Sequence, residues 1–370
     1  MLQYSTQLRD MFAGFKYIVP IEWCTKEIID RVGGKNASLG ELARGGFNVP
    51  TGFAITTDAY KRFVDVGGIK EKISEILAEN KKNADYKSFL IRELFTQNPL
   101  PSDIEDEIVH AYGLITDHIR EKLGETSPSY AVRSSATLED MPNASFAGQH
   151  DTYLFIRGEK AVLEKVVLCW SSLFSARAIT YRDSMGISHG KAYMSVGVIN
   201  MVDAKAAGVM FTLDPANGSR LDIVIESNFG LGESVVKGIT SVDRFVVNKI
   251  KLQIKERSIQ AKQVQVVYDE AVNEVVEKEI PAQMRNMPSL SDEEVIYLAR
   301  QAKEIENYFG APQDIEFAIH KSAPFPRNVF ILQSRPETRW SNEQRVSIFT
   351  KQHASHVTDY LLTWFLKSGN

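Results

Sequence analysis

The sequence predicts an α/β fold (α+β in its segregation of elements), arranged as two lobes on either side of a cleft. Three observations carry this. The chain has 370 residues, enough for two domains or for one large unit with two lobes. Short apolar runs that read as strands recur along its length between stretches of helical periodicity. The polar groups best suited to phosphate stand at strand ends and at one helix start. Hydrophobic content of 44% and charged content of 24% are those of an ordinary globular protein. A net charge of −4 lacks the basic excess of a nucleic-acid or membrane surface, so neither partner is expected.

Taken in order, residues 31–42 read as a tight glycine turn followed by a helix, which Gly45 and Gly46 close. Residues 49–55 read as a strand, Thr57 and Asp58 as the cap of another helix, and residues 58–125 as mainly helical. The clearest helix starts at Ser102, which with Glu105 makes a capping box. There Ile104, Ile108, Ala111, Tyr112, Ile115 and Ile119 recur at helical spacing. Residues 130–153 read as strand, small-residue loop and strand, and residues 160–181 as one helix. Residues 194–202 read as a buried strand with residues 206–212 as its hairpin partner. Residues 223–226 are a third short strand, 228–233 a glycine-rich turn, and 245–268 one or two solvent-facing strands. A second capping box, Ser291 with Glu294, opens a helix that Gly310 and Pro312 end. Two strands, 314–319 and 329–332, close the core. The expected division is an N-terminal lobe at 1–192, a C-terminal lobe at 193–338 and a tail helix at 339–370, whose apolar positions are Val357, Tyr360, Leu361, Trp364 and Phe365.

Three stretches could carry chemistry. Residues 130–153 hold hydroxyls at Ser134, Ser135, Thr137, Ser145 and Thr152, with Arg133 at one end and Gly148 near the other. Small hydroxylated residues let backbone N–H groups approach an anion, and an Arg beside them suits phosphate oxygens. The same composition also suits a plain loop. Gly33-Gly34-Lys35 sets a lysine at a helix start, where it could reach a phosphate held by the helix N-terminus. It is not a Walker A loop, because that pattern's first glycine falls on Ile29 and Asn36 follows the lysine. Alternation places Asp314 and Glu316 on one face of their strand, and Gln333 with Arg335 on one face of the next. Two carboxylates, an amide and an Arg suit Mg²⁺ and polyphosphate, and equally an exposed salt-bridged face.

Other features are quieter. Gly230-Leu231-Gly232 fails the dinucleotide fingerprint, since Val235 stands where the last glycine belongs. The seven histidines make no metal-ligand pair on a helix face, and Cys24 and Cys169 lie far apart, as in a reducing compartment. With no signal-peptide core and no run of ~18 uncharged apolar residues, the expected location is the cytoplasm.

Six motifs occur in a telling order: Gly-Gly-Lys-Asn-Ala-Ser-Leu-Gly-Glu-Leu at 33–42; Val-Arg-Ser-Ser-Ala-Thr-Leu-Glu-Asp at 132–140 with Ser-Phe-Ala-Gly-Gln at 145–149; Gly-Val-Met-Phe-Thr-Leu-Asp-Pro at 208–215; Gly-Leu-Gly-Glu-Ser-Val-Val-Lys-Gly at 230–238; Asp-Ile-Glu-Phe at 314–317; and Ile-Leu-Gln-Ser-Arg-Pro at 331–336. Together they resemble the N-terminal ATP-binding domain of the pyruvate phosphate dikinase and phosphoenolpyruvate synthase family, an ATP-grasp variant. The resemblance runs from about residue 33 to 336. It implies an ATP-grasp-like fold whose lobes enclose a nucleotide cleft, with ATP and Mg²⁺ as ligands. It implies that Lys35, Arg133 and Arg335 act on the phosphates. The loop from Ser134 through Ser135, Thr137 and Ala147 to Gly148 would fold over them, with Thr152 beyond it. Glu316 and Gln333 would hold the metal, and Thr212 and Asp214 would line the cleft. Backbone groups of Asn200, Met201 and Val202 would meet the adenine. The family has a glutamine at the position of Ile199.

Family members that act as single chains also carry a swivelling domain with a phosphate-accepting histidine in a Thr-Ser-His or Thr-Cys-His run. This sequence has no such run, since Ser188-His189-Gly190 precedes the adenine strand. The resemblance therefore implies the nucleotide subunit of a split enzyme. It would drive phosphorylation of a histidine on a partner subunit that also carries the acceptor site, releasing AMP and phosphate. Phenol is the leading expected acceptor, as in a phenylphosphate synthase arrangement, and a split phosphoenolpyruvate synthase comes next. A stand-alone ATP-grasp kinase and a non-catalytic nucleotide sensor are the rival readings.

Overall fold

The computed structural model describes residues 11–79, 82–137, 140–141, 144–145 and 151–340, and it is a mixed α/β architecture on two main antiparallel sheets. The N-terminal part runs β1 (Ile18–Pro20), α1 (Ile29–Arg44), β2 (Gly52–Ile55) and four helices: α2 (Thr57–Val66), α3 (Ile69–Ala78), α4 (Ala84–Gln97) and α5 (Ser102–Leu123). It continues through β3 (Tyr130–Ala136), a small pair β4 (Asp140–Met141) and β5 (Ala144–Ser145), β6 (Thr152–Ile156), α6 (Glu159–Ser171), α7 (Ala176–Ser184) and β7 (Met194–Asn200). Five of these strands form the first sheet in the order β1-β2-β7-β3-β6. Its core joins Val132 and Val198 of the sheet to Phe63, Ile91, Phe95, Ile108, Ile115 and Trp170 of the helices. The apolar spacing on α5 thus buries the face it predicts. The Ser102 capping box does not form: Pro101 is the cap, and its carbonyl takes the amides of Ile104 and Glu105, which leaves Ser102 already inside the helix.

The second sheet comes from β8 (Ala204–Phe211), β9 (Asp222–Phe229), β10 (Asp243–Asn248), β11 (Gln253–Ser258), β14 (Gln313–His320) and β15 (Val329–Pro336), in the order β11-β10-β9-β8-β14-β15. Between them lie the short α8 (Glu233–Val236), the separate hairpin β12 (Val264–Asp269) with β13 (Glu274–Glu279), and α9 (Asp292–Phe309). α9 starts with the predicted Ser291–Glu294 capping box and stops at Gly310 in the left-handed region. It packs Val295, Leu298, Ala302 and Ile305, together with Leu39 and Leu42 of α1, onto Ile315, Phe317, Ile319 and Ile331.

Three expectations about elements are corrected. Residues 194–202 and 206–212 are not a hairpin. β7 is buried at every position and finds partners on both sides, β2 and β3, whereas β8 lies between β9 and β14 in the other sheet. A lobe boundary at 192/193 therefore cuts β7 from the sheet it pairs with, and the crossover falls at residues 201–203. The single helix at 160–181 is two, broken where Ser175 caps α7. Residues 245–268 contribute to three strands, and the first of them, β10, is largely buried inside the second sheet.

The hairpin β12–β13 explains the Gly-Leu-Gly motif. The Leu231 amide donates to the Val266 carbonyl at 2.8 Å, and a Cβ on Gly230 (φ +74°) would lie 2.3 Å from that oxygen. Glycine is required there by the close approach of another strand. Beyond that root the hairpin meets the first sheet. The Tyr268 ring stacks on Phe155 of β6 with centroids 4.4 Å apart, and Arg157 donates to the Tyr268 hydroxyl at 2.9 Å.

A second unit begins at Glu337, whose carboxylate accepts the amides of Arg339 and Trp340. The tail positions Val357, Tyr360, Leu361, Trp364 and Phe365 lie outside the described residues.

Candidate functional site

The first turn of α1 is built around Gly33. With φ +72° and ψ +166°, it kinks the helix so that the turn lies against β3. A Cβ there would sit 2.1 Å from the Ser135 carbonyl oxygen, so only glycine permits this approach. Lys35 follows immediately and donates to the Ser134 carbonyl at 3.3 Å. Arg133, one residue earlier on β3, is half-buried and points to the second sheet, donating to the Leu332 carbonyl at 3.2 Å and to Gln333 Oε1.

The second sheet answers with one face. Alternation along β14 turns Ile315, Phe317 and Ile319 into the core and leaves Asp314, Glu316 and Ala318 on the opposite side. Cross-strand register sets Glu316 beside Gln333 and Asp314 beside Arg335. Arg335 makes a two-nitrogen ion pair with Asp314, at 2.8 Å from Nε and 2.7 Å from the second nitrogen. A β-bulge falls here, because Glu316 pairs with Gln333 but Phe317 pairs with Ile331. The extra residue, Leu332, brings Gln333 onto the same face as itself and Phe330. Along that face Ala318 clusters with Val202 and Ala207, flanked by Ala204, Phe330 and Leu332. A small apolar floor thus leads to a carboxylate, an amide and three cationic side chains. Among the described residues no group of three His, Cys, Asp or Glu side chains could hold a metal by itself. The Glu316 carboxylate and the Gln333 amide oxygen, as register neighbours, are hard oxygen donors that fit Mg²⁺ if phosphate oxygens complete its shell.

Other expected site residues are placed differently. Ser134 and Ser135 are fully buried within β3, so the loop starts at Thr137; the Ser135 hydroxyl accepts the Asn36 amide, and the Ser134 hydroxyl has no partner among the described residues. Thr137 is tied to the Tyr193 backbone, and Thr152 pairs with Arg133 at the start of β6. Ala147 and Gly148 lie outside the described residues. Thr212 is fully buried, its hydroxyl taking the Gln313 amide, and Asp214 holds its own turn through the Ala216 amide and the Asn217 side chain. Of the amides expected to meet the adenine, Asn200 donates to the Thr51 carbonyl and Met201 to the Ser129 carbonyl, both at 2.8 Å. Asn36, Ser195, Gly197 and the bulge at Leu332 also lie around these groups, and no sequence pattern marks them. Asn36 stood within a quoted motif, but nothing in its spacing marked it.

A cavity of 910 Å³ lies toward the other end of the same strands, lined by Thr51, Glu125, Asn200, Val202, His320 and Tyr308 among others. It includes none of Lys35, Arg133, Glu316, Gln333 or Arg335. Thr51, which anchors the Asn200 amide, also donates from its hydroxyl to Glu22 at 3.3 Å. The second oxygen of Glu22 is buried without a partner among the described residues, and burial pushes this carboxyl above the ordinary glutamate value of 4.5. Folding therefore favours the protonated acid. This contribution is fully present below the ordinary value and is lost as pH rises through the raised one. Glu22→Gln is expected to be progressively more stable than wild type as pH rises above 4.5. Thermal melts of both proteins from about pH 4 to about pH 8 check it; parallel curves would place Glu22 in contact with water.

His189 is not available as a nucleophile. Its Nδ1 accepts from Arg182 Nε and its Nε2 pairs with Asp183, each at 2.9 Å. Among the described residues, no helix is long and apolar enough to cross a membrane.

Comparison with known proteins matches residues 29–356 to the family model described as pyruvate phosphate dikinase, AMP/ATP-binding domain. Similar relatives include phosphoenolpyruvate synthase of Aeropyrum pernix, 42% identical over 89% of this chain and 43% of the relative. The phosphoenolpyruvate synthase of Helicobacter pylori is 40% identical over 89% of this chain and 43% of its own length. A probable phosphoenolpyruvate synthase of Methanothermobacter thermautotrophicus is 39% identical over 87% of this chain and 46% of the relative. The chain spans less than half the length of these curated relatives.

Proposed function

The chain belongs to the pyruvate phosphate dikinase AMP/ATP-binding domain family, and from that premise we propose that it binds Mg²⁺-ATP between its two sheets and energises a histidine supplied by a partner subunit. The observation that carries this reading is the meeting of Lys35, on the α1 turn packed against β3, and Arg133, on β3, with Glu316, Gln333 and Arg335 of the second sheet, beside an apolar floor. Each residue type has a task there. Val202, Ala207, Ala318 and Leu332 exclude water from the base. Lys35, Arg133 and Arg335 counter the phosphate charge, and Glu316 with Gln333 would hold Mg²⁺, which would supply further neutralisation of that charge. Such chemistry needs positioning and electrostatics more than a protein nucleophile.

The acceptor of the histidine's phosphate follows a different line of support. The relatives carry the name phosphoenolpyruvate synthase, so the proposed destination is phosphoenolpyruvate formation. None of their names supports phenol, the acceptor that the sequence led one to expect. A sensor role fits less well, because a sensor has no need of both the metal and the phosphate groups.

The test uses β-labelled ATP. The chain alone is expected to leave no phosphorylated product. With a protein carrying the phosphohistidine domain, label should move to that histidine as ATP and water yield AMP and phosphate. Pyruvate and phenol added separately then identify the acceptor. Phosphorylation of a small molecule by the chain alone would replace this reading with that of a stand-alone kinase.

A further inference from the structure

We infer that Asn36 is the positioning residue of the phosphate site, fixing the α1 turn that carries Lys35 onto the strand pair that carries Arg133. The inference rests on the nucleotide reading above. Asn36 is completely buried and uses both its amide groups across the boundary between helix and sheet. Its backbone N–H donates to Ser135 Oγ on β3 at 3.2 Å. Its side-chain Nδ2 donates to Ser195 Oγ on β7 at 3.1 Å and to the Val32 carbonyl of its own helix at 3.0 Å. Ser135 and Ser195 are themselves cross-strand partners, so one asparagine grips both members of a register pair. Ser195 passes the contact on to β2, donating to the Ile55 carbonyl at 2.7 Å.

The grip is aimed at Arg133. Gly197 is the register partner of Arg133, and a Cβ on it would lie 2.5 Å from Asn36 Oδ1, so that oxygen rests against the backbone beside the arginine. The same turn is held to the second sheet as well, because Ser38 donates its hydroxyl to the Ser334 carbonyl, between Gln333 and Arg335. Lys35 therefore sits on a turn tied to the first sheet by Asn36 and to the second by Ser38. A buried side chain that locks the backbone of a charged neighbour sets where that charge falls, which matters to about half an ångström in a phosphate site.

The role separates from bulk stability by ligand. ATP and adenosine are titrated separately into wild type, Lys35→Ala, Asn36→Ala and Ser195→Ala by calorimetry. Asn36→Ala is expected to weaken ATP by about tenfold or more, an amount equal to one misplaced charge-assisted contact, while adenosine changes by less than about twofold. Ser195→Ala keeps Asn36 but removes the acceptor of its Nδ2, and should show the same ATP-selective loss to a smaller degree. It carries the test if Asn36→Ala fails to fold. Equal losses for ATP and adenosine, or none for either, overturn the positioning role. If Lys35→Ala binds ATP as wild type does, the nucleotide reading itself fails, and the inference with it.

Discussion

Arg133→Ala is expected to lower ATP-dependent phosphoryl transfer in the reconstituted system by about a hundred- to a thousand-fold, the effect of removing one preorganised charged donor from a water-poor site. The guanidinium stands on β3 with its nitrogens on the Leu332 carbonyl and on Gln333 Oε1, so it is the charged link between the two sheets at the proposed phosphate position. Arg133→Lys should recover little, because one ammonium cannot reproduce a planar fork that spans two acceptors. Single-turnover rates with saturating ATP measure the loss directly. A variant that turns over normally would remove Arg133 from the site, whatever its place between the sheets.

Asp243→Ala should be among the most destabilising single changes in the second lobe, by about 3–5 kcal/mol. Asp243 and Lys262 are both fully buried, paired at 2.6 Å. The Lys262 ammonium also donates to the carbonyls of Gln260 and Met287, and the second Asp243 oxygen accepts the amide and hydroxyl of Ser289. Removing the carboxylate strands a buried ammonium and frees the segment leading into β12. The cost comes from the uncompensated charge rather than from any large net worth of the pair. Asp243→Ala combined with Lys262→Met should therefore be more stable than Asp243→Ala alone. Urea unfolding midpoints of the three proteins decide it. If the double variant is the least stable, the polar network around the pair matters more than the charge.

Several features were legible without coordinates, each because its signal lies within a few residues. The α5 stripe from Ile104 to Ile119 follows from the helical repeat. The Ser291–Glu294 box is a local exchange of hydrogen bonds. Alternation correctly set Asp314 with Glu316 and Gln333 with Arg335. The turn before Lys35 follows from Gly33, although the reason for the glycine is Ser135, a residue about a hundred positions away. Where an outside partner decides, local reading fails. Ser102 looks like a cap, but Pro101 already accepts the first helical bonds. Ser134 and Ser135 look like loop hydroxyls, but β3 continues through them alongside β7. Gly230-Leu231-Gly232 reads as a glycine-rich turn that fails the dinucleotide fingerprint, but what requires its first glycine is the close approach of Val266.

By itself, then, the sequence determined which residue types were available for phosphate and metal, in what order, and on which face of each strand. Only the tertiary structure decided which of them come together. β7 joins the first sheet rather than pairing with β8, the bulge at Leu332 turns Gln333 to the face shared with Glu316, and Asn36 holds Lys35 against the strand of Arg133. The physical reason is range. Side-chain direction along a helix or strand is set by backbone period, whereas strand partners, bulges and buried amide contacts are chosen by groups that meet only once the chain has folded.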